Sequence, residues 1–220
     1  MKFPQNCKRR AFCAGVTAGL PLVFSSLFCS SSSGTGENAG TGEKATKEGY
    51  PAFKDARSKK VIFIAHCILN QNARIDHCAY TPSAIPGIAE ALLERRIGIV
   101  QMPCPELIFL GLGRGAGPEI YDELSVPEVR KKLKELARDI LYQIREYRRY
   151  GFKVLGVLGI DGSPSCGVDL TYYEGNRPGK GAFMEELTAV LEKEKPTIVV
   201  KGIKDGEPEK AVELIRELDS

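Results

Sequence analysis

The chain has 220 residues, 27% charged and 43% hydrophobic, with a formal charge of +3. That length allows one domain with a sizeable core plus extra segments, and the composition is ordinary for a soluble globular protein. Residues 1–50 hold six Lys/Arg and three Asp/Glu, so the rest carries 25 of each sign; this balance excludes the clustered basic face that a nucleic-acid partner requires.

Lys8-Arg9-Arg10 precedes an apolar stretch from Ala11 to Cys29, broken by Pro21, and Ser30 to Gly49 is rich in Ser, Gly, Thr, Glu and Lys. Basic head, apolar middle and polar exit are the order of a secretory signal. The apolar run only just reaches the roughly 18 residues a membrane anchor needs. Arg9-Arg10-Ala11-Phe12 is similar to the core of a twin-arginine signal, and Cys29 with its following serines to a lipoprotein start. The expectation is a signal peptide or membrane anchor over 1–29, a flexible linker over 30–55 and the folded domain over 56–220. The protein is then exported or membrane-anchored, touching a membrane only through this segment; a cytoplasmic location is the alternative.

Lys59 to Ala65 reads as a strand covered on both faces. Ala84 to Arg96 reads as a helix, with Ile88, Leu92 and Leu93 at helical spacing. Ile97 to Met102 is a second strand, and the Gly-rich stretch 111–126 a loop. Pro127 opens a long helix with an apolar stripe of Leu133, Leu136, Ala137, Ile140, Leu141 and Ile144, stopped by Gly151. Lys153 to Ile160 is a third strand, 161–181 a loop and Phe183 to Lys193 a helix. Thr197 to Val200 is a short fourth strand before an amphipathic helix over Glu207 to Leu218. The alternation predicts the α/β class: a single three-layer, Rossmann-like domain with a mainly parallel sheet of four to five strands.

Three of these strands lead directly to a cysteine: Cys67, Cys104 and Cys166. In an open parallel sheet, ligands bind beyond the carboxyl ends of the strands. Three thiols delivered to that edge can meet at one metal centre and leave one metal position open. Thiolates suit zinc and iron–sulfur clusters, yet no CxxC pair of the structural-zinc kind is present. The alternative for each cysteine is simple core packing, but the flanks His66, Pro103 and Pro105, and Ser163-Pro164-Ser165 are not what a core thiol needs. A domain this long and aliphatic requires no disulfides.

Cys67-Ile68-Leu69-Asn70 with Arg74 and Asp76, Pro103-Cys104-Pro105-Glu106, and Ser163-Pro164-Ser165-Cys166-Gly167 together resemble the thiouracil desulfurase family, and more closely its related desulfidases. The likeness covers roughly residues 58–170. It implies a [4Fe-4S] cluster held by Cys67, Cys104 and Cys166, with the fourth iron taking sulfur from a thiocarbonyl substrate. Many members have Cys-Leu-Leu-Gly and a second cysteine before Arg-Tyr-Asp, where this chain has Asn70, Ala73 and Ile75.

The expected activity is C–S bond hydrolysis on a small thiolated molecule such as a thionucleobase, in a monomer or homodimer. Glu106 is the expected general base or proton shuttle, with Ser163 and Ser165 guiding protons or bonding the substrate. Asn70, Arg74 and Asp161 are expected to line the substrate pocket, with an Arg74–Asp76 ion pair as the structural alternative. His66 and His77 are read as loop-orienting residues, Cys78 as a bystander and Arg114 as a binder of anionic groups. The alternatives are a mononuclear zinc hydrolase using His66, Cys67, Cys104 and Cys166, an exported cluster- or ligand-binding α/β protein, or a cysteine-nucleophile enzyme built on Cys166.

Overall fold

A computed structural model of the chain describes residues 53–220. The expected signal or anchor, and the expected linker up to residue 52, lie outside the described residues. At the first described position the Phe53 ring lies against Tyr150 and Phe152, with the Arg57 guanidinium over its face. Among the described residues no helix is long and apolar enough to cross a membrane.

Four strands form one parallel sheet: β1 (Lys60–Ile64), β2 (Gly98–Gln101), β3 (Lys153–Ile160) and β6 (Val200–Ile203), in the order β2-β1-β3-β6. β1 and β3 occupy the centre and are buried along nearly their whole length. This explains their unbroken runs of Val, Ile, Leu and Phe, since neither face meets water.

The helices sort to two faces by chain path. α2 (Ile88–Glu94), between β1 and β2, packs with the C-terminal α7 (Pro208–Asp219). α5 (Pro127–Arg149) packs with α6 (Ala182–Leu191) and covers the other face together with α4 (Glu119–Ser125). Five of the six predicted stripe residues of α5, Leu133, Ala137, Ile140, Leu141 and Ile144, are buried, and Leu136 is half-buried. The layered α/β architecture read from the alternation of elements is therefore the observed one.

Details differ from the sequence reading for physical reasons. The second helix is shorter than expected and leaves Leu93 exposed, because Ile88, Ala91 and Leu92 already fill its inner face. α4 lies inside the stretch read as a loop; its buried Ile120 and Leu124 form a stripe too brief to register as periodic. The 161–181 loop contains a two-stranded antiparallel hairpin, β4 (Leu170–Tyr172) and β5 (Asn176–Pro178). The last strand starts three residues later than expected.

The segment after β3 folds back onto its own strand. Cys166 O accepts from Ile160 N at 2.9 Å, and a Cβ on Gly159 would collide with that oxygen and with the Val168 and Met184 side chains. Only glycine fits there. Gly159→Ala is expected to cost about 1–3 kcal/mol, as other overpacked sites do. Thermal unfolding would show this as a midpoint lowered by several degrees.

Candidate functional site

A cavity of about 430 Å³ opens at the carboxyl edge of the sheet. β1 leads leftward to β2, while β3 leads rightward to β6, so the crevice lies where strand order reverses. All four parallel strands deliver residues to it: His66 and Cys67 follow β1, Cys104 and Glu106 follow β2, Asp161 to Cys166 follow β3 and Asp205 follows β6.

Cys67 sits in the single helical turn α1 (His66–Leu69). It is fixed from behind by Gln71, whose buried side chain donates to Cys67 O at 2.7 Å and accepts from Tyr80 N at 3.1 Å. Cys104 is the N-cap residue of α3 (Pro105–Leu110), where Pro105 takes the tolerated first position. Cys166 ends the Ser-Pro-Ser-Cys loop, whose carbonyls are claimed by the first N–H groups of α6. Ala182 N donates to Pro164 O at 2.9 Å, and Phe183 N and Met184 N donate to Ser165 O at 3.1 and 3.2 Å. A helix start thus spends its unpaired donors on holding that loop.

All three cysteines are free thiols. Burial pushes the Cys67 thiol up to about 11, with Arg74 pulling partly the other way. Burial likewise raises Cys104, against N–H donors at Leu107 and Glu106. Cys166 stands well above the ordinary range, first by burial and then by the negative charge that Cys104 and Cys67 would carry. The three sulfurs therefore feel one another across one cavity. Among the described residues, no three His, Cys, Asp or Glu side chains are gathered closely enough to hold a single metal ion.

Glu106 faces the thiols from the first turn of α3. Its Oε1 accepts from Ser165 Oγ at 2.6 Å and from Ser163 Oγ at 3.3 Å. Ser165 has one proton and two acceptors, since Cys166 Sγ lies 3.5 Å away; the short contact to the carboxylate takes it. Ser163 Oγ accepts from Cys166 N at 3.0 Å and Ser165 N at 3.3 Å, so it shapes the turn while also reaching the carboxylate.

Arg114, read as a binder of anionic ligands, is instead committed within the protein. It is buried and donates to Glu106 Oε2 at 3.0 Å, Gly111 O at 2.8 Å and Ala73 O at 2.9 Å. The Arg74–Asp76 pair does not form. Arg74 pairs with Asp205 at 2.6 Å and donates to Cys78 O, whereas Asp76 is exposed beside His77. Arg74 has a buried carboxylate within reach, and an exposed neighbour offers far less. Burial raises the Asp205 carboxyl above the usual carboxylate range, and the guanidinium opposes that rise.

Asp161 lines the cavity, but its Oδ1 accepts three backbone N–H groups, from Val168, Asp169 and Leu170, clasping the loop. Asn70 does not line it. Its Oδ1 caps the 3-10 turn Gln71–Ala73, and its Nδ2 lies 3.3 Å from His66 Nε2. Cys78, taken as a bystander, does line the cavity, as do Tyr80, Tyr172 and Asn176. Asp205, Gln71 and the hairpin residues escaped the sequence reading. Only the Asp-Gly pair at 205–206 hinted at a turn beyond a strand.

Over 155 residues the chain is 33% identical to the uncharacterized protein MJ0003 of Methanocaldococcus jannaschii, across 70% of this chain and 90% of that protein. No protein-family model matches the chain, and no solved structure matches it.

Two outcomes test the geometry. Arg114→Ala should destabilise the fold by about 3–5 kcal/mol, because it strands a buried carboxylate; urea unfolding measures this. In the metal-free chain, iodoacetamide should label Cys67 far more slowly at pH 8 than in the unfolded chain, with labelling rising as pH approaches about 11. The same raised thiol makes stability fully present below the unfolded value and lost as pH climbs through the folded one. Peptide mapping by mass spectrometry reads the labelling.

Proposed function

This chain belongs to the family of the archaeal protein MJ0003, and we propose that it is an iron–sulfur-dependent desulfidase acting on a small thiocarbonyl compound such as a thionucleobase. One observation carries the reading: three free thiols from three parallel strand ends, Cys166 buried and Cys67 and Cys104 half-buried, line a single cavity beside a carboxylate–serine relay.

Cys67, Cys104 and Cys166 are the residues that would hold a [4Fe-4S] cluster. Three soft thiolates at the edge of one cavity are a fitting donor set. Such a cluster, when bound, supplies an iron with no protein ligand, a Lewis acid for sulfur. The remaining work belongs to the chain. Exchanging C=S for C=O consumes one water and releases sulfur at the sulfide level, so no electrons are gained or lost and only protons must be moved.

Glu106 Oε1 receives the proton from that water. Arg114 grips Oε2, so the carboxylate cannot turn away, and leaves Oε1 as the working oxygen. Ser165 donates to the carboxylate while lying 3.5 Å from the Cys166 sulfur, so it holds the working oxygen beside the thiol edge. Ser163, held by two backbone N–H groups, offers its own proton to Oε1 or to Ser165 at 3.2 Å. The relay therefore exchanges protons by hydroxyl rotation alone. The aliphatic and aromatic walls contributed by Ile75, Ile120 and Tyr172 limit competing water.

Anaerobic reconstitution is expected to give a brown protein with about four iron and four sulfide per chain, reduced in Cys67→Ser, Cys104→Ser and Cys166→Ser. Glu106→Gln should keep wild-type iron content while slowing sulfide release by about 10²–10⁴-fold, the usual contribution of a general base. A colourless protein with one zinc per chain would overturn the cluster, and unchanged turnover in the Gln variant would remove Glu106 from the chemistry.

A further inference from the structure

We propose that Asp205 is a specificity residue: its free carboxylate oxygen accepts a hydrogen bond from an N–H next to the carbon–sulfur bond, so the cavity selects thioamide-type ligands in their N–H form. The inference deepens the desulfidase reading and rests on it for the identity of the sulfur compound.

Asp205 follows β6, the one parallel strand whose end brings no cysteine. Its Oδ2 is taken by Arg74 Nη2 at 2.6 Å, in a pair with side chains only 11% and 13% exposed. Its Oδ1 is buried and has no hydrogen-bond partner. Asp205 nevertheless lines the cavity. A buried acceptor without a partner is disfavoured, and native proteins rarely leave one unless something enters to complete it.

The other cavity carboxylates are committed, Glu106 to Arg114 and the serines, and Asp161 Oδ1 to three backbone N–H groups. Among the described residues, Asp205 Oδ1 is the carboxylate oxygen of the cavity lining that is buried without a partner. The permanent charge of Arg74 opposes the rise that burial imposes on this carboxyl, and in its carboxylate form the group requires a donor and repels an anion. Arg74 also lies close enough to Cys67 for its charge to oppose the rise that burial imposes on that thiol. One guanidinium thus ties the acceptor to the thiol edge, which places the donor close to the sulfur-bearing carbon. An N–H adjacent to C=S meets both demands. A thioether or a thioester offers nothing to Oδ1.

The substitution Asp205→Asn inverts the polarity of the position. Arg74 presents only N–H groups, so the amide oxygen stays with Arg74 and the amide NH₂ replaces Oδ1, turning an acceptor into a donor.

Full-length wild-type and Asp205→Asn proteins, matched for iron and sulfide content, are titrated calorimetrically with pyridine-2-thione, which has N–H beside C=S, and 1-methylpyrimidine-2-thione, which has a bare ring nitrogen there. The wild type should favour the N–H compound by about tenfold or more, as expected for a bond to a charged acceptor, and the Asn variant should lose or reverse that preference. Equal affinities in the wild type, or an unaltered preference in a folded variant, overturn the proposal. Should the variant not fold, N-methylpyridine-2-thione decides on the wild type alone: weakening by tenfold supports the assignment, and equal binding overturns it. Sulfide release from the same compounds is scored separately. Preference without sulfide breaks the desulfidase reading, and sulfide without preference breaks this inference.

Discussion

β1 and β3 run side by side in the same direction, and the chain leaves them toward opposite edges of the sheet. This pairing opens a crevice between Cys67 and the Ser-Pro-Ser-Cys loop, with β2 adding Cys104 from one side and β6 adding Asp205 from the other. The distances between these residues along the chain, many tens of positions, are irrelevant once the register is set. The register in turn rests on burial. A one-residue slip of either strand would turn its side chains to the opposite helix layer, and both faces are filled.

Two buried arginine–carboxylate pairs flank the thiols. Arg114 with Glu106 lies on the β2 side, and Arg74 with Asp205 on the β6 side. Buried ion pairs rarely add net stability, because desolvation offsets the attraction. Their contribution here is orientation. Each arginine occupies one oxygen of its carboxylate; the other accepts from hydroxyls at Glu106 and is buried without a protein partner at Asp205. Each also anchors a loop through backbone carbonyls, at Gly111 and Ala73 or at Cys78. The polar groups around the sulfurs are thus held by the same contacts that close the loops.

The sheet was legible in the sequence because doubly covered strands need continuous apolar runs, and the cysteines were legible because each ends such a run. Glu106, Ser163 and Ser165 were readable from their nearness to those cysteines. Asn70 was misplaced by the same logic: adjacency to a cavity residue does not fix direction, and a one-turn helix rotates it toward His66. Arg74 lines the cavity, but its partner could not be found, because Asp205 follows a strand that pairs with β3 from far along the chain. The hairpin was hidden because its strands are three residues each and Pro178 and the flanking glycines read as turn.

That hairpin is joined to the loop after β3, where Gly162 N donates to Leu170 O at 3.0 Å and Thr171 Oγ1 donates to Ser163 O at 3.4 Å. Tyr172 and Asn176 reach the cavity from it, while Tyr173 and Arg177 fasten it to α4 through Asp122 and the Tyr121 ring. None of these contacts involves the strands that carry the sulfurs. Side chains at Tyr172 and Asn176 therefore set ligand size and shape, whereas any change at Leu170 or Thr171 is felt by the loop that presents the Cys166 sulfur.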